Sequence, residues 1–182
     1  MRHWTDRAQP RPISNKGSTA TPHPLYTEEE RRRRDASRWT LVQGVLAPLQ
    51  FLVFLVSLAL VLRFLATGEG LMAATASVVI KTFVLYTIMV TGSIWEKEVF
   101  GVYLFARPFF WEDVFSMLVL ALHTAYLLAL FTGVLTPTQQ MLLALAAYAA
   151  YLINAGQFLL KLRAARLQAA RDLTPPTAGA RA

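Results

Sequence analysis

Four long apolar stretches, separated by short turns and one charged segment, dominate the pattern of hydrophobic and polar positions along the chain. Each is about 20 residues or longer, roughly what about 30 Å of hydrocarbon requires of a helix. The pattern therefore predicts an all-α membrane protein, a bundle of four transmembrane helices. The predicted spans cover about residues 39–62, 71–95, 114–135 and 140–160.

The connections between the spans differ in character. Gly68-Glu69-Gly70 and Thr136-Pro137-Thr138 are predicted to be tight turns, and residues 96–113 a longer loop. A run of charged residues usually forms a solvated loop. In residues 96–113 the charged residues alternate with many aromatic residues, which also favours a lid or binding rim at the membrane surface.

A short helix is predicted before the first span, over residues 25–38. Thr27 and Glu30 have the spacing of a capping box, and four arginines follow. Such a segment is typical of an amphipathic helix lying on an anionic membrane surface. The remaining regions are a disordered tail over 1–24, a transmembrane domain over 39–162 and a basic tail over 163–182.

The distribution of basic residues orients the bundle. Of 18 Lys and Arg, nine lie in residues 1–38, two in the middle loop and five in residues 161–182. The first turn carries one and the second none, so the positive-inside rule places both termini and the middle loop in the cytoplasm. Because these residues flank apolar spans, the excess of positive charge indicates contact with lipid headgroups rather than nucleic acid.

Composition narrows the possible chemistry. The chain contains 55% hydrophobic residues, 16% charged residues and no cysteine. The lack of cysteine excludes disulfides, thiolate nucleophiles and Cys-ligated metal centres. No metalloprotease motif, phosphate loop or dinucleotide-binding fingerprint is present, and a bis-histidine haem has only one intramembrane histidine available, His123.

Polar residues inside the spans need a structural or functional reason. Lys81 and His123 lie near mid-bilayer; we expect a polar partner or an internal cavity for Lys81, whereas His123 suits packing and ligand binding equally. Gln43, Ser57 and Asn154 are expected to bond neighbouring helices. Helical periodicity gives each span one polar stripe, which predicts an interior that is polar toward the cytoplasm. The stripes are Gln43, Gln50 and Ser57; Lys81, Leu85, Ile88, Gly92 and Trp95, with Glu96 beside them; Glu112, Ser116, Val119, His123 and Tyr126; and Tyr151, Asn154, Gln157 and Lys161.

Several segments in a specific order resemble the vinyl bacteriochlorophyllide hydratase family, over about residues 25–168. The resemblance implies an enzyme that adds water across the 3-vinyl group of chlorophyllide a or 3-vinyl bacteriochlorophyllide a. The product is the 3-(1-hydroxyethyl) derivative, an intermediate of bacteriochlorophyll a biosynthesis, and no redox cofactor is implied. The segments are Leu25-Tyr26-Thr27, Arg34-Asp35-Ala36-Ser37, Trp39-Thr40-Leu41-Val42-Gln43-Gly44, Leu46-Ala47-Pro48-Leu49-Gln50-Phe51, Ile94-Trp95-Glu96-Lys97, Val99-Phe100-Gly101, Phe110-Trp111-Glu112-Asp113-Val114-Phe115-Ser116-Met117 and His123-Thr124-Ala125-Tyr126.

That reaction constrains the site. It needs a proton donor in a partly desolvated position, a group that places water, and a flat apolar slot. Glu112 and Glu96 are the first candidates for the donor, and Asp113 and Glu98 the second. His123 is a candidate for placing water or for contacting the Mg²⁺ of the substrate.

The remaining candidates are predicted to bind the substrate. Lys97 or Arg107 would pair with its propionate, and Trp95 and Trp111 would stack on its ring. Lys81, Gln50 and Asn154 are assigned to the substrate-binding interior.

The resemblance also places the protein in the cytoplasmic membrane of a phototrophic bacterium. Membrane lipids and other enzymes of the same pathway are its expected partners. Two alternatives stay open at this point: a chlorin-binding or assembly subunit without activity, and a helical scaffold without a ligand.

Overall fold

The computed structural model describes residues 25–172, with side chains described through residue 167. The predicted disordered tail over 1–24, and the predicted basic tail beyond residue 172, lie outside these residues. Within the described range the secondary structure is entirely helical. The helices are α1 (Glu28–Ala36), α2 (Arg38–Thr67), α3 (Leu71–Phe100), a 3₁₀ turn (Arg107–Phe109), α4 (Phe110–Thr132) and α5 (Pro137–Asp172).

Helices α2 to α5 are each long and apolar enough to cross a membrane, which confirms the predicted number of spans. Helices α2 and α3 contain 30 residues each, so each is about 45 Å long. This exceeds the about 30 Å of a hydrocarbon core, and their ends reach the headgroup region.

Several predicted boundaries were wrong. Helix α2 continues to Thr67 and α5 to Asp172, past the predicted ends at 62 and 160, so the first part of the predicted tail over 163–182 is helical. The loop over 96–113 is much shorter, because α3 continues to Phe100 and α4 already begins at Phe110. Three of the charges that suggested a loop, Glu96, Glu112 and Asp113, are bonded inside the bundle, whereas Lys97, Glu98 and Arg107 are exposed. The third span ends at Thr132 rather than Leu135, because Gly133 adopts a left-handed conformation that caps α4. Helix α5 then begins at Pro137, which suits the first position of a helix.

The helices form two antiparallel hairpins, α2 with α3 and α4 with α5, which pack against each other. One end of the bundle carries the turn over 68–70 and the turn over 133–136, and is called here the turn end. The opposite end carries α1 and the segment over 101–109, and is called the loop end. Gly68 and Gly70 adopt left-handed conformations, as the predicted turn requires.

Helix α1 packs against α3 at the loop end. The predicted capping box is confirmed, because Thr27 and Glu30 each bond the backbone amide of the other. Between α1 and α2, the hydroxyl of Ser37 donates to Glu98 across 2.6 Å, which fixes this corner to α3.

The predicted polar stripes lie largely inside the bundle. All five residues of the α4 stripe are buried: Glu112, Ser116, Val119, His123 and Tyr126. The expected bonds between helices are also present. Gln43 donates to Thr91, Ser57 bonds Ser77 and Tyr148, and Asn154 donates to Ser116.

Candidate active site

Two buried carboxyl groups meet at the loop end. Glu96 comes from the last turns of α3 and Asp113 from the first turn of α4, and they are 6% and 4% exposed. Their carboxyl groups accept from the backbone amides of two consecutive residues, Ala106 and Phe105, and therefore lie side by side. Because two neighbouring like charges are costly away from water, we expect one proton to be held by the pair.

Backbone amides of two consecutive residues hold this carboxyl pair. The amide of Phe105 donates to Asp113 Oδ2 across 2.7 Å, and the amide of Ala106 donates to Glu96 Oε2 across 3.3 Å. Phe105 has a φ of 61°, the only positive φ of a non-glycine residue within 25–172. Such a conformation is costly for a residue with a side chain, and it aims successive amides at one anionic site. The segment over 101–106 is thus shaped around the pair.

The strained conformation of Phe105 gives a first prediction. Phe105→Gly is expected to keep the amide contacts and the thermal stability, because glycine adopts a positive φ without steric cost. Phe105→Val is expected to unfold more easily, by about 1–2 kcal/mol, because a branched β-carbon clashes in this conformation. The midpoints of thermal unfolding in detergent measure both variants. A glycine variant less stable than the valine variant would contradict this account of the loop.

Glu112 lies beside the pair and has a different partner. The Nζ atom of Lys161, on α5, lies 2.6 Å from Glu112 Oε2. The same ammonium group donates to the carbonyl of Pro108 and lies 4.9 Å from the ring centroid of Phe109. Lys161 therefore fixes α5 to the 3₁₀ turn, and Glu112 is held as the carboxylate of an ion pair.

An aromatic and basic rim surrounds the carboxyl pair at the surface. Trp111 is 67% exposed, and Lys97 and Arg107 are also exposed at this end. Trp95 is only half-buried, and its Nε1 donates to Thr40 across 3.0 Å, so it helps to anchor α2 on α3. The other exposed aromatic residues of the rim are Tyr103, Phe105 and Phe110.

Three further predicted site residues lie deep in the bundle: Gln50, Lys81 and His123, all at most 2% exposed. The Nδ1 atom of His123 lies 2.8 Å from the carbonyl of Val119. Because a carbonyl only accepts, Nδ1 carries a proton, and Nε2 has no hydrogen-bond partner in the described part of the chain.

Lys81 has an aromatic neighbourhood instead of the expected polar partner. Its Nζ lies 3.9 Å from the ring centroid of Tyr151, and 5.8 Å from those of Phe54 and Tyr148. Within the described part of the chain it has no hydrogen-bond partner. An ammonium group over aromatic faces gains cation–π attraction, which offsets part of the cost of burial.

The structure thus separates the sequence-predicted site residues into two groups. Glu96, Asp113 and Glu112 lie together at the loop end. His123 follows Asp113 by ten residues on α4, about 15 Å along the helix axis. Asn154 lies between the two groups, where its Nδ2 donates to Ser116 across 2.8 Å.

Two contributors to this site did not follow from the sequence. The stripe on α5 placed Lys161 inside the bundle, but its pairing with Glu112 joins residues 49 positions apart. The role of the Phe105 and Ala106 amides could not be predicted, because a residue with a positive φ is usually glycine or asparagine, and residue 105 is phenylalanine.

Comparison with known proteins identifies relatives along most of the chain. The family model described as 2-vinyl bacteriochlorophyllide hydratase matches residues 26–164. A 2-vinyl bacteriochlorophyllide hydratase of Cereibacter sphaeroides is 74% identical over 151 residues, which covers 82% of this chain and 94% of the relative. A protein of the same name from Rhodobacter capsulatus is 73% identical over 148 residues, covering 81% of this chain and 86% of the relative. No solved structure matches the chain significantly.

Proposed function

The chain belongs to the 2-vinyl bacteriochlorophyllide hydratase family, and from that premise we propose that the Glu96–Asp113 pair protonates the vinyl group of the substrate. The protein is a hydro-lyase of bacteriochlorophyll biosynthesis, which adds water across this vinyl group. The alternatives of a non-enzymatic pigment carrier and a ligand-free scaffold have no comparable support. It is also a multi-pass membrane protein, with four membrane-capable helices.

The chemistry of hydration defines what the pair must do. A proton adds to the terminal vinyl carbon, and the positive charge on the inner carbon spreads into the macrocycle. A water oxygen then bonds to the inner carbon, and the proton that this water loses returns to the pair. The balance is one water consumed per turnover, and the acid is regenerated.

The observation that carries this assignment is the burial of two carboxyl groups side by side on the consecutive amides of Phe105 and Ala106. A proton held by such a pair is one that general acid catalysis can transfer. Glu112 forms an ion pair with Lys161, and Glu98 accepts a hydrogen bond from Ser37. Both carboxyl groups therefore already serve other contacts and are not proposed as the donor. After the proton leaves, the amides of Phe105 and Ala106 stabilise the resulting negative charge.

The exposed rim suits the substrate's flat ring. In this proposal the macrocycle lies against Phe105, Phe110 and Trp111, with its vinyl edge toward Asp113. Lys97 and Arg107 are placed to pair with the propionate. Trp95 supports the rim through its edge contacts with Phe100 and Phe109.

His123, Lys81 and Gln50 are enclosed by the bundle on every side. A macrocycle would have to part the helices to reach the Nε2 of His123, so these residues are proposed to act at a distance from the ring.

The orientation proposed for the enzyme follows the distribution of basic residues. The loop end carries α1 with its arginines, whereas the turn end carries Arg63. The positive-inside rule then places the loop end, with the carboxyl pair, at the cytoplasmic face of the cytoplasmic membrane. Helix α1 would lie among the headgroups there, where other enzymes of the pathway can deliver or accept pigment.

Expression in a host that makes the vinyl pigment but lacks this enzyme tests the activity. The extracted pigment is expected to convert from the vinyl to the hydroxyethyl form, a mass gain of one water. A chain that is well expressed in the membrane while the pigment stays entirely in the vinyl form would overturn the proposal. Pigment that remains bound and unconverted would instead favour a carrier.

A further inference from the structure

The interior of the bundle is more polar toward the loop end than toward the turn end. From mid-bilayer to the turn end the buried side chains of the four helices are mainly apolar: Val61, Phe64, Ala74, Val78, Ala129, Met141 and Ala144. The polar groups on this side are Ser57, which bonds Ser77 and Tyr148, the hydroxyl of Tyr126, and Gln140 at the outer edge. From mid-bilayer to the loop end the interior contains Lys81, His123, Gln50, Ser116, Asn154 and Gln157, and it ends at Glu112 and the carboxyl pair.

Several polar atoms of this inner half have no hydrogen-bond partner among residues 25–172. They are Lys81 Nζ, His123 Nε2, both amide atoms of Gln50, Asn154 Oδ1 and Gln157 Oε1. The hydroxyl of Tyr126, about one helical turn from His123 toward the turn end, also has none. A buried polar group without a partner is costly, and the cost rises in a membrane, where lipid offers no hydrogen bonds. One such atom is an exception that any protein tolerates. A row of them along one interior indicates a ligand.

The chemistry of these atoms identifies the ligand as water. Lys81 only donates, the side-chain oxygens of Asn154 and Gln157 only accept, and the amide of Gln50 does both. An anion would satisfy Lys81 alone, and a cation would satisfy the acceptors alone. Water donates and accepts, which matches this mixture of buried donors and acceptors.

The positions of these groups form a continuous column. On α5, Tyr151, Asn154, Gln157 and Lys161 follow one another at intervals of three or four residues, about 5 Å each along the helix. The column begins at the hydroxyl of Tyr126, passes Lys81 and His123, and reaches Glu112 through the ammonium group of Lys161. The buried residues Phe64, Ala74 and Ala129 close it toward the turn end.

We propose that these groups line a blind water-filled column, which opens only at the loop end. Its role in the reaction rests on the proposed function: once a macrocycle covers the rim, bulk water is displaced, and the column retains water next to the carboxyl pair. The column is then the reservoir for the water that each turnover consumes.

Single cysteine variants test the column directly, because the natural chain has no cysteine. Each variant is prepared as the full chain in membranes and treated with hydroxyethyl methanethiosulfonate, a small neutral reagent that modifies hydrated thiols. Ser116→Cys is compared with Ala129→Cys, because both positions lie on α4 and are 6% exposed. Asn154→Cys and Ala144→Cys on α5 form a second, less closely matched comparison, because Asn154 is partly buried and Ala144 is fully buried.

The column predicts modification at least about tenfold faster at positions 116 and 154 than at 129 and 144, since thiolates react and dry thiols do not ionise. Equal slow rates at all four positions would overturn the column. Serine and cysteine have nearly the same shape, so Ser116→Cys remains informative even if Asn154→Cys fails to fold.

The reservoir role is tested separately from the proposed acid. Gln50→Leu with Lys81→Met removes polar groups from the column and is expected to lower kcat with KM little changed. The same double variant should slow the modification of a cysteine at position 116. If slow thiol modification shows that the column of the double variant is dry while its kcat is unchanged, the reservoir role is overturned. The assignment of the carboxyl pair would still stand. The thiol rates need no substrate, so they stay interpretable if the pair proves not to be the acid.

Discussion

Glu96→Gln is expected to lower the rate of vinyl hydration about 10²- to 10⁴-fold, the usual contribution of a general acid. The amide of glutamine has nearly the shape of the protonated acid and can donate a hydrogen bond to Asp113. The backbone amide of Ala106 keeps its acceptor as well. The substitution therefore removes the transferable proton while it preserves the geometry. Pigment binding is expected to persist, so the loss should appear in kcat.

The control for this prediction is Glu69→Gln, an exposed carboxyl at the turn end whose nearest cation, Arg63, lies 3.9 Å away. It is expected to retain full activity. Infrared spectroscopy supplies a second measurement, because the carbonyl stretch of a protonated carboxylic acid should be lost in Glu96→Gln. A Glu96→Gln enzyme with normal turnover would rule out the pair as the acid, and would return attention to Glu112.

Lys161→Met is expected to destabilise the bundle by about 1–3 kcal/mol, because it leaves the buried carboxylate of Glu112 without a partner. It also frees the carbonyl of Pro108, so the 3₁₀ turn loses its attachment to α5. Activity should fall along with stability, because that turn directly follows the amides that hold the carboxyl pair. Thermal unfolding in detergent and the hydration rate measure the two effects.

A double variant separates charge burial from positioning. Glu112→Gln combined with Lys161→Met removes both charges, and is expected to recover most of the lost stability, because no unpaired ion remains. Activity should recover less, since the attachment to Pro108 is still absent. Arg163→Met, a neighbouring exposed cation, serves as the matched control and should change neither quantity. Full stability in the single Lys161→Met variant would show that the ion pair contributes little.

Periodicity predicted the parts of the fold that depend on one helix at a time. The α4 stripe followed from the spacing of Glu112, Ser116 and His123, and all three are buried. The bonds made by Gln43, Ser57 and Asn154 followed from the cost of polar groups in lipid. Both inferences need only local spacing and the nature of the solvent.

The parts that depend on two helices at once did not follow from the sequence. Glu96 and Asp113 were both assigned to a loop, and their proximity depends on where α3 ends and how α4 packs beside it. The partner of Lys161 depends on the same packing. The positive φ of Phe105 goes with the hydrogen bonds that the Phe105 and Ala106 amides make to the carboxyl pair. A phenylalanine side chain does not predict such a conformation.

The apolar half of the bundle has a bioenergetic consequence. Bacterial membranes store energy as a proton-motive force, and any polar passage through the full thickness would dissipate it. Between Tyr126 and the turn end, Phe64, Ala74, Ala129 and Met141 form a buried apolar layer, whose side chains offer no donor or acceptor along which a proton could hop. The enzyme can therefore carry ionisable groups to mid-bilayer while the membrane stays electrically insulated.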